Sequence, residues 1–86
     1  MSHEQIQTKV IELAAEQAGV ATSEVTPATH FVNDLNFDSL DAVEFAMAVE
    51  DEFELSIPDA DAEKLQTVGD MIEYVAQRVP AGSVDS

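Results

Sequence analysis

Asp38-Ser39-Leu40-Asp41-Ala42-Val43-Glu44-Phe45-Ala46-Met47-Ala48-Val49-Glu50-Asp51-Glu52-Phe53 decides the fold. It holds no Gly or Pro and is rich in good helix formers, so it predicts one continuous helix of about 24 Å. At about 100° per residue it carries two apolar stripes. Ala42, Phe45, Ala46, Val49 and Phe53 share one side, while Leu40, Val43 and Met47 share the other, among Glu44, Glu50, Asp51 and Glu54. One apolar stripe is enough to join a core. The second, rimmed by carboxylates, reads as a contact surface held in water. Ser39 stands at its N-terminal end, where free backbone N–H groups point outward.

Working outward, Ile6, Val10, Leu13 and Ala14 recur at helical spacing, and Ser2 with Gln5 fits a capping box, which predicts a helix over about 3–17 that stops at Gly19. Residues 18–38 form a long connection with Thr26-Pro27 as punctuation. Its apolar residues, Val20, Val25, Phe31, Val32, Leu35 and Phe37, favour packing over the helices, and Asn36 suits a left-handed turn. After the break at Ser56-Ile57-Pro58, a short helix is expected from Asp59 to Leu65 with Asp59 as its N-cap. Thr67-Val68-Gly69-Asp70 resembles a capping box for a last helix over about 68–79, and Pro80 to Ser86 reads as a mobile tail. No alternating strand is evident. The expected fold is all-α: a small four-helix bundle of three longer helices and one short one, with a long first loop. Its core should hold Ile6, Val10, Leu13, Phe31, Leu35, Phe45, Val49, Phe53, Ile57, Val68, Ile72 and Val75, packed loosely enough to let a groove open between helices.

The 86 residues suit one domain, ordered over about 3–79. Eighteen acidic against three basic residues give a net charge of -15. That balance argues against nucleic acid and anionic membranes and favours partners with basic patches. No Cys is present, which rules out disulfides and fits a reducing compartment. The start of the chain lacks the pattern of a secretory signal, and no apolar run is long enough to span a membrane. A cytoplasmic monomer is the expectation.

Catalytic constellations are missing from the sequence. His3 and His30 are far apart, and there is no His-Glu-x-x-His, Gly-x-Ser-x-Gly or phosphate-cradling glycine loop. His30 beside Phe31 reads as a structural or surface histidine rather than a catalytic one. Asp59-x-Asp61-x-Glu63 resembles the start of a calcium loop but has Lys64 where Gly is needed and Asp70 where Glu is expected, so no metal site is assigned. Ser39 is either an ordinary cap or first-turn serine, or a place for a phosphate ester at a helix N-terminus. Its neighbours Asp38 and Asp41 include no His or Lys to activate it as a nucleophile.

Phe31-Val32-Asn33-Asp34-Leu35-Asn36-Phe37-Asp38-Ser39-Leu40-Asp41, then Val43-Glu44 and Met47, then Glu52-Phe53-Glu54-Leu55-Ser56-Ile57-Pro58-Asp59 and Thr67-Val68-Gly69-Asp70 resemble, in order, the acyl carrier proteins of dissociated (type II) fatty acid synthesis. The similarity runs over roughly residues 3–79. It implies a noncatalytic carrier with 4′-phosphopantetheine esterified to Ser39 by a phosphopantetheinyl transferase, the holo-synthase. The arm's thiol would hold growing acyl chains as thioesters, and a cavity among the helices would shelter them. It also implies that basic patches on fatty acid synthesis enzymes read Asp38, Leu40, Asp41, Val43, Glu44, Met47, Glu50 and Asp51, which coincide with the second stripe. The family usually has Gly where this chain has Asn36 and a small residue where it has Phe37. Asn accepts the turn, and Phe37 either anchors the loop by packing inward or alters docking. Polyketide and other carriers, an acidic interaction domain with Ser39 as a mere cap, and a calcium-binding regulator are the alternative readings.

Overall fold

The computed structural model describes residues 2–79; the tail expected to be mobile, 80–86, lies outside them. Four helices follow in order: α1 (His3–Ala18), α2 (Ser39–Phe53), α3 (Asp59–Ala62) and α4 (Val68–Arg78), with a single 3-10 turn at Thr22–Glu24. The small helical bundle expected from the sequence is what forms.

Each long helix begins where the sequence supplies a reciprocal cap. Ser2 and Gln5 close the box that opens α1, and Thr67 and Asp70 close the one that opens α4. A third, not anticipated from the sequence, opens α2: Asp38 accepts from the N–H of Asp41, and the Asp41 side chain accepts from the N–H of Asp38. Gly19 ends α1 with φ 75°, its N–H reaching the carbonyls of Ala15 and Glu16. Glu54 ends α2 with φ 54°, a left-handed position taken by a residue that has no special ease there.

The short helix differs from expectation. Pro58, not Asp59, is the N-cap, because its extended backbone (φ -60°, ψ 149°) already sets the start one residue earlier. It ends at Ala62 rather than Leu65, because the chain tightens: Lys64 and Leu65 donate to Asp61 and Ala62, three residues back.

α1 packs against both α2 and α4, while no comparably extensive helix contact holds α3. Ten of the twelve expected core residues are buried; Leu13 and Leu35 are only partly so. Ala14, Ala15, Val25, Phe37 and Met71 join the core as well. The small pair on α1 leaves room for its neighbours to approach. The inner stripe of α2 is narrower than the wheel implied, since Ala42 is exposed and Ala46 half-buried.

The long loop is packed. Phe31 and Phe37 stack with centroids 5.4 Å apart, and Phe45 of α2 meets them at 5.1 and 5.8 Å. The loop backbone is pinned to the start of α4: Phe31 N–H donates to the Gln66 carbonyl, Val68 N–H to Thr29 and Gly69 N–H to Pro27 at 2.8 Å. A Cβ at position 69 would lie 2.9 Å from the Pro27 oxygen, so this approach needs glycine. His30 has the structural part expected of it. Its Nδ1 accepts from the N–H groups of Val32 and Asn33, both at 3.2 Å, and its own N–H donates to Asp34 at 2.7 Å.

Candidate functional site

The aromatic trio fixes the end of the loop, and Asn36, with φ 59°, turns the chain into α2 as its residue type suggested. Phe37 is 4% exposed, so its ring is an anchor inside the core. What emerges at the surface is Asp38 and then Ser39, the first residue of α2.

Ser39 is exposed and is not the cap. That work falls to Asp38, whose Oδ1 accepts the Asp41 N–H at 2.8 Å, while Asp41 Oδ2 accepts the Asp38 N–H at 3.2 Å. The serine hydroxyl is therefore not needed to hold the helix end, and both flanking carboxylates are occupied with backbone amides. Both are tied to backbone N–H groups of the helix start, Asp38 to that of Asp41 and Asp41 to that of Asp38. An exposed primary hydroxyl at a helix N-terminus is a fitting anchor for a phosphodiester, since the partial positive charge there favours an anion.

Along α2 the second stripe stands in solvent: Leu40, Val43 and Met47 are 62%, 53% and 57% exposed. Large apolar side chains left this open, side by side among carboxylates, form an exposed apolar patch with a charged rim. The carboxylates expected around it are not equivalent. Asp38, Glu44 and Asp51 are exposed, Asp41 and Glu50 half-buried. Glu50 Oε2 accepts the Ile57 N–H at 2.6 Å and so ties the end of α2 to the turn before α3. Sequence reasoning missed Gln17. From α1 its amide donates to Asp41 at 3.3 Å and to Glu44 at 2.9 Å, holding two of the surface carboxylates in place. Nothing in the periodicity of α1 signals this, because the contact exists only once α1 and α2 pack.

A groove of about 430 Å³ opens beside Ser39. Ala42, Val43, Ala46 and Met47 form one wall, and Ile57, Ala62 and Glu63 line it from the other side. Ala42 and Ala46 explain why it exists: at these positions the helix carries only methyl groups, so the segment after Pro58 does not close against it. The groove and Ser39 meet, so an exposed hydroxyl stands at one end of a largely apolar slot.

The calcium resemblance goes no further in the structure. Asp61 is engaged by Tyr74 and Arg78, and no group of three or more His, Cys, Asp or Glu among the described residues is arranged to hold a metal ion. Nor is any helix among them long and apolar enough to cross a membrane.

A family model described as the phosphopantetheine attachment site matches residues 8–75. Proteins of this family are carriers rather than enzymes: they hold acyl groups on a covalent 4′-phosphopantetheine and work with a phosphopantetheinyl transferase and acyl-handling enzymes. With the match running from α1 to α4 and taking in the loop, α2 and the groove, this chain belongs to the phosphopantetheine-binding carrier family.

Proposed function

We propose that Ser39 is the attachment residue and that the chain is an acyl carrier protein of type II fatty acid synthesis. The observation that carries the reading is an exposed hydroxyl, relieved of capping by Asp38, at one end of an apolar groove. When attached, the arm supplies a thiol that bears the acyl group as a thioester. The chain's own residues do the rest. Ser39 fixes the arm at the head of α2, Ala42, Ala46 and Ile57 offer the cargo an apolar lining, and Leu40, Val43 and Met47 give an enzyme a surface to seat on. Tethering replaces free diffusion of the substrate with a high local concentration at each enzyme visited.

The acidic rim supports fatty acid synthesis, because it suits synthases with basic docking patches and speeds their approach. Asp38, Asp41, Glu44, Glu50 and Asp51 make up that rim, with Glu44 and Asp51 the two that face solvent without serving the capping box. The same reading has the carrier act as a monomer in the cytoplasm, where an arm thiol stays reduced.

The test begins with intact mass after incubation with coenzyme A and a phosphopantetheinyl transferase. One phosphopantetheine should be gained by the wild type and none by Ser39→Ala. Loading of the alanine variant would move the site elsewhere. The loaded protein should then support chain elongation by fatty acid synthesis enzymes; elongation only by polyketide enzymes would reassign the pathway. Glu44→Lys should slow association with a fatty acid synthase component and flatten its dependence on salt, with helicity unchanged. An unaltered salt slope would remove the electrostatic part of the reading.

A further inference from the structure

α3 is one wall of the groove, yet little in the helix itself holds it in place. It is four residues long, has no side-chain cap and buries none of its own residues. A helix that short is far below the length that is stable alone. Its polar tether comes from the last turns of α4. Tyr74 donates its hydroxyl to Asp61 Oδ2 at 2.7 Å. Arg78 approaches the same oxygen at 3.5 Å and lies with its guanidinium carbon 3.6 Å from the Tyr74 ring centroid. The three side chains form one clasp: the ring positions the guanidinium, and ring hydroxyl and guanidinium both converge on one carboxylate oxygen. Asp61 is flanked in sequence by groove-lining residues, Asp59 on one side and Ala62 and Glu63 on the other.

We propose that Tyr74 and Arg78 are positioning residues for the cargo groove: by holding Asp61 they set how far α3 stands from α2, and so which acyl chain lengths the carrier shelters. This rests on the reading that the groove takes the acyl chain. The clasp lies on α4, away from Ser39 and the docking stripe, so it adjusts the slot without touching the attachment point. Released from it, α3 retains its link through Pro58 and Ile57 and moves outward more readily, which favours longer chains and leaves short ones less covered.

Two arms test this, with Tyr74→Phe, which keeps the ring and loses the hydroxyl, and Asp61→Asn, which keeps an acceptor and loses the charge. In the protein without its arm, hydrogen exchange at the Ala62 and Glu63 amides should quicken about fivefold in Tyr74→Phe, the worth of one ordinary hydrogen bond, while the Val75 amide in α4 keeps its rate. Unchanged exchange at Ala62 and Glu63 in both variants overturns the clasp, whatever the state of Ser39. In the loaded protein, cleavage of the thioester by hydroxylamine is compared for octanoyl and hexadecanoyl cargo. The ratio of the two rates should shift toward protection of the longer chain in both variants. A general loss of stability would raise both rates together and leave the ratio fixed, and that result overturns the proposal. Failure of Ser39 to load is a separate outcome, read by mass before either cargo is attached, and it overturns the cargo-groove reading on which the proposal stands.

Discussion

Replacing Asp38 by Ala and Ser39 by Ala, one residue apart, should have opposite consequences. Asp38 Oδ1 accepts the Asp41 N–H at 2.8 Å and sits at the N-cap of α2, where a negative charge is favourable. Loss of the cap costs about 1 kcal/mol and loss of the favourable charge adds about 0.5 kcal/mol, together about 1.5 kcal/mol. For a chain of this size that is a fall in Tm of roughly 6–12 °C. Relief of repulsion within a chain of net charge -15 works the other way, so Asp38→Asn is the needed control. It removes the charge, keeps a good capping side chain, and should lose under about 4 °C. Ser39→Ala removes a solvent-exposed hydroxyl that caps nothing and should stay within about 0.5 kcal/mol of wild type. Thermal unfolding followed by far-UV circular dichroism reads all three, and mass after transferase treatment is measured alongside. Asp38→Ala should be unstable and still loadable at low temperature; Ser39→Ala should be stable and never loaded. If Ser39→Ala melts as early as Asp38→Ala, the serine holds the helix end, and the argument that its oxygen is free for an arm fails.

Phe37→Ala should cost about 3–5 kcal/mol, since the ring is buried between Phe31 and Phe45. Urea unfolding measures it, against a total of about 4–13 kcal/mol for a chain of this length; a loss under about 1 kcal/mol would mean the ring is no anchor. Desolvation and the hydrogen bond to Asp61 hold the Tyr74 hydroxyl above its ordinary pKa of 10.0, despite the opposing pull of Arg78. The phenol is thus favoured in the folded state. Its stabilising share is complete below pH 10.0 and is lost as pH rises through the folded value. Wild type should therefore lose Tm faster than Tyr74→Phe on going above pH 10, and parallel curves would show that the phenol's ionisation is indifferent to folding.

The helices were legible because their signals are local. Two apolar stripes without Gly or Pro gave α2 its limits, Ser39 and Phe53, and the pairs Ser2–Gln5 and Thr67–Asp70 marked the starts of α1 and α4. Asp38 and Asp41 have the spacing of Thr67 and Asp70, so the third box was readable too. Ala42 and Ala46 show the limit of a helical wheel. It records that they are apolar and on the inner side, but not that two methyl groups are too small to meet the opposing segment, which is why a groove opens there. Gln17, Tyr74 and Arg78 were out of reach for a different reason: each acts on a residue of another helix, 24, 13 and 17 positions away for Asp41, Asp61 and Asp61, and no periodicity within one helix encodes such a partner.

The acidity itself looks different once the hydrogen bonds are known. Three basic residues do not neutralise eighteen acidic ones, and two of the three, Lys9 and Arg78, are in ion pairs with Glu52 and Asp61. The fold draws its positive partners from backbone N–H groups instead. Asp34 takes that of His30, Asp38 that of Asp41, Asp41 that of Asp38, Glu50 that of Ile57, and Asp70 those of Gln66 and Thr67. These carboxylates are structural parts that happen to be charged, placed at turns and helix starts where amides are otherwise unpaired. Glu44 and Asp51 have no such duty to the backbone and stand exposed on α2 beside Val43 and Met47. These seven of the eighteen acidic residues thus fall into two populations with different uses. Reversing a member of the first should break a turn or a helix start, whereas reversing Asp51 should leave the fold intact and, on the proposed reading, change only what the helix attracts; Glu44 stands between the two, since it also accepts from the Gln17 amide of α1 at 2.9 Å.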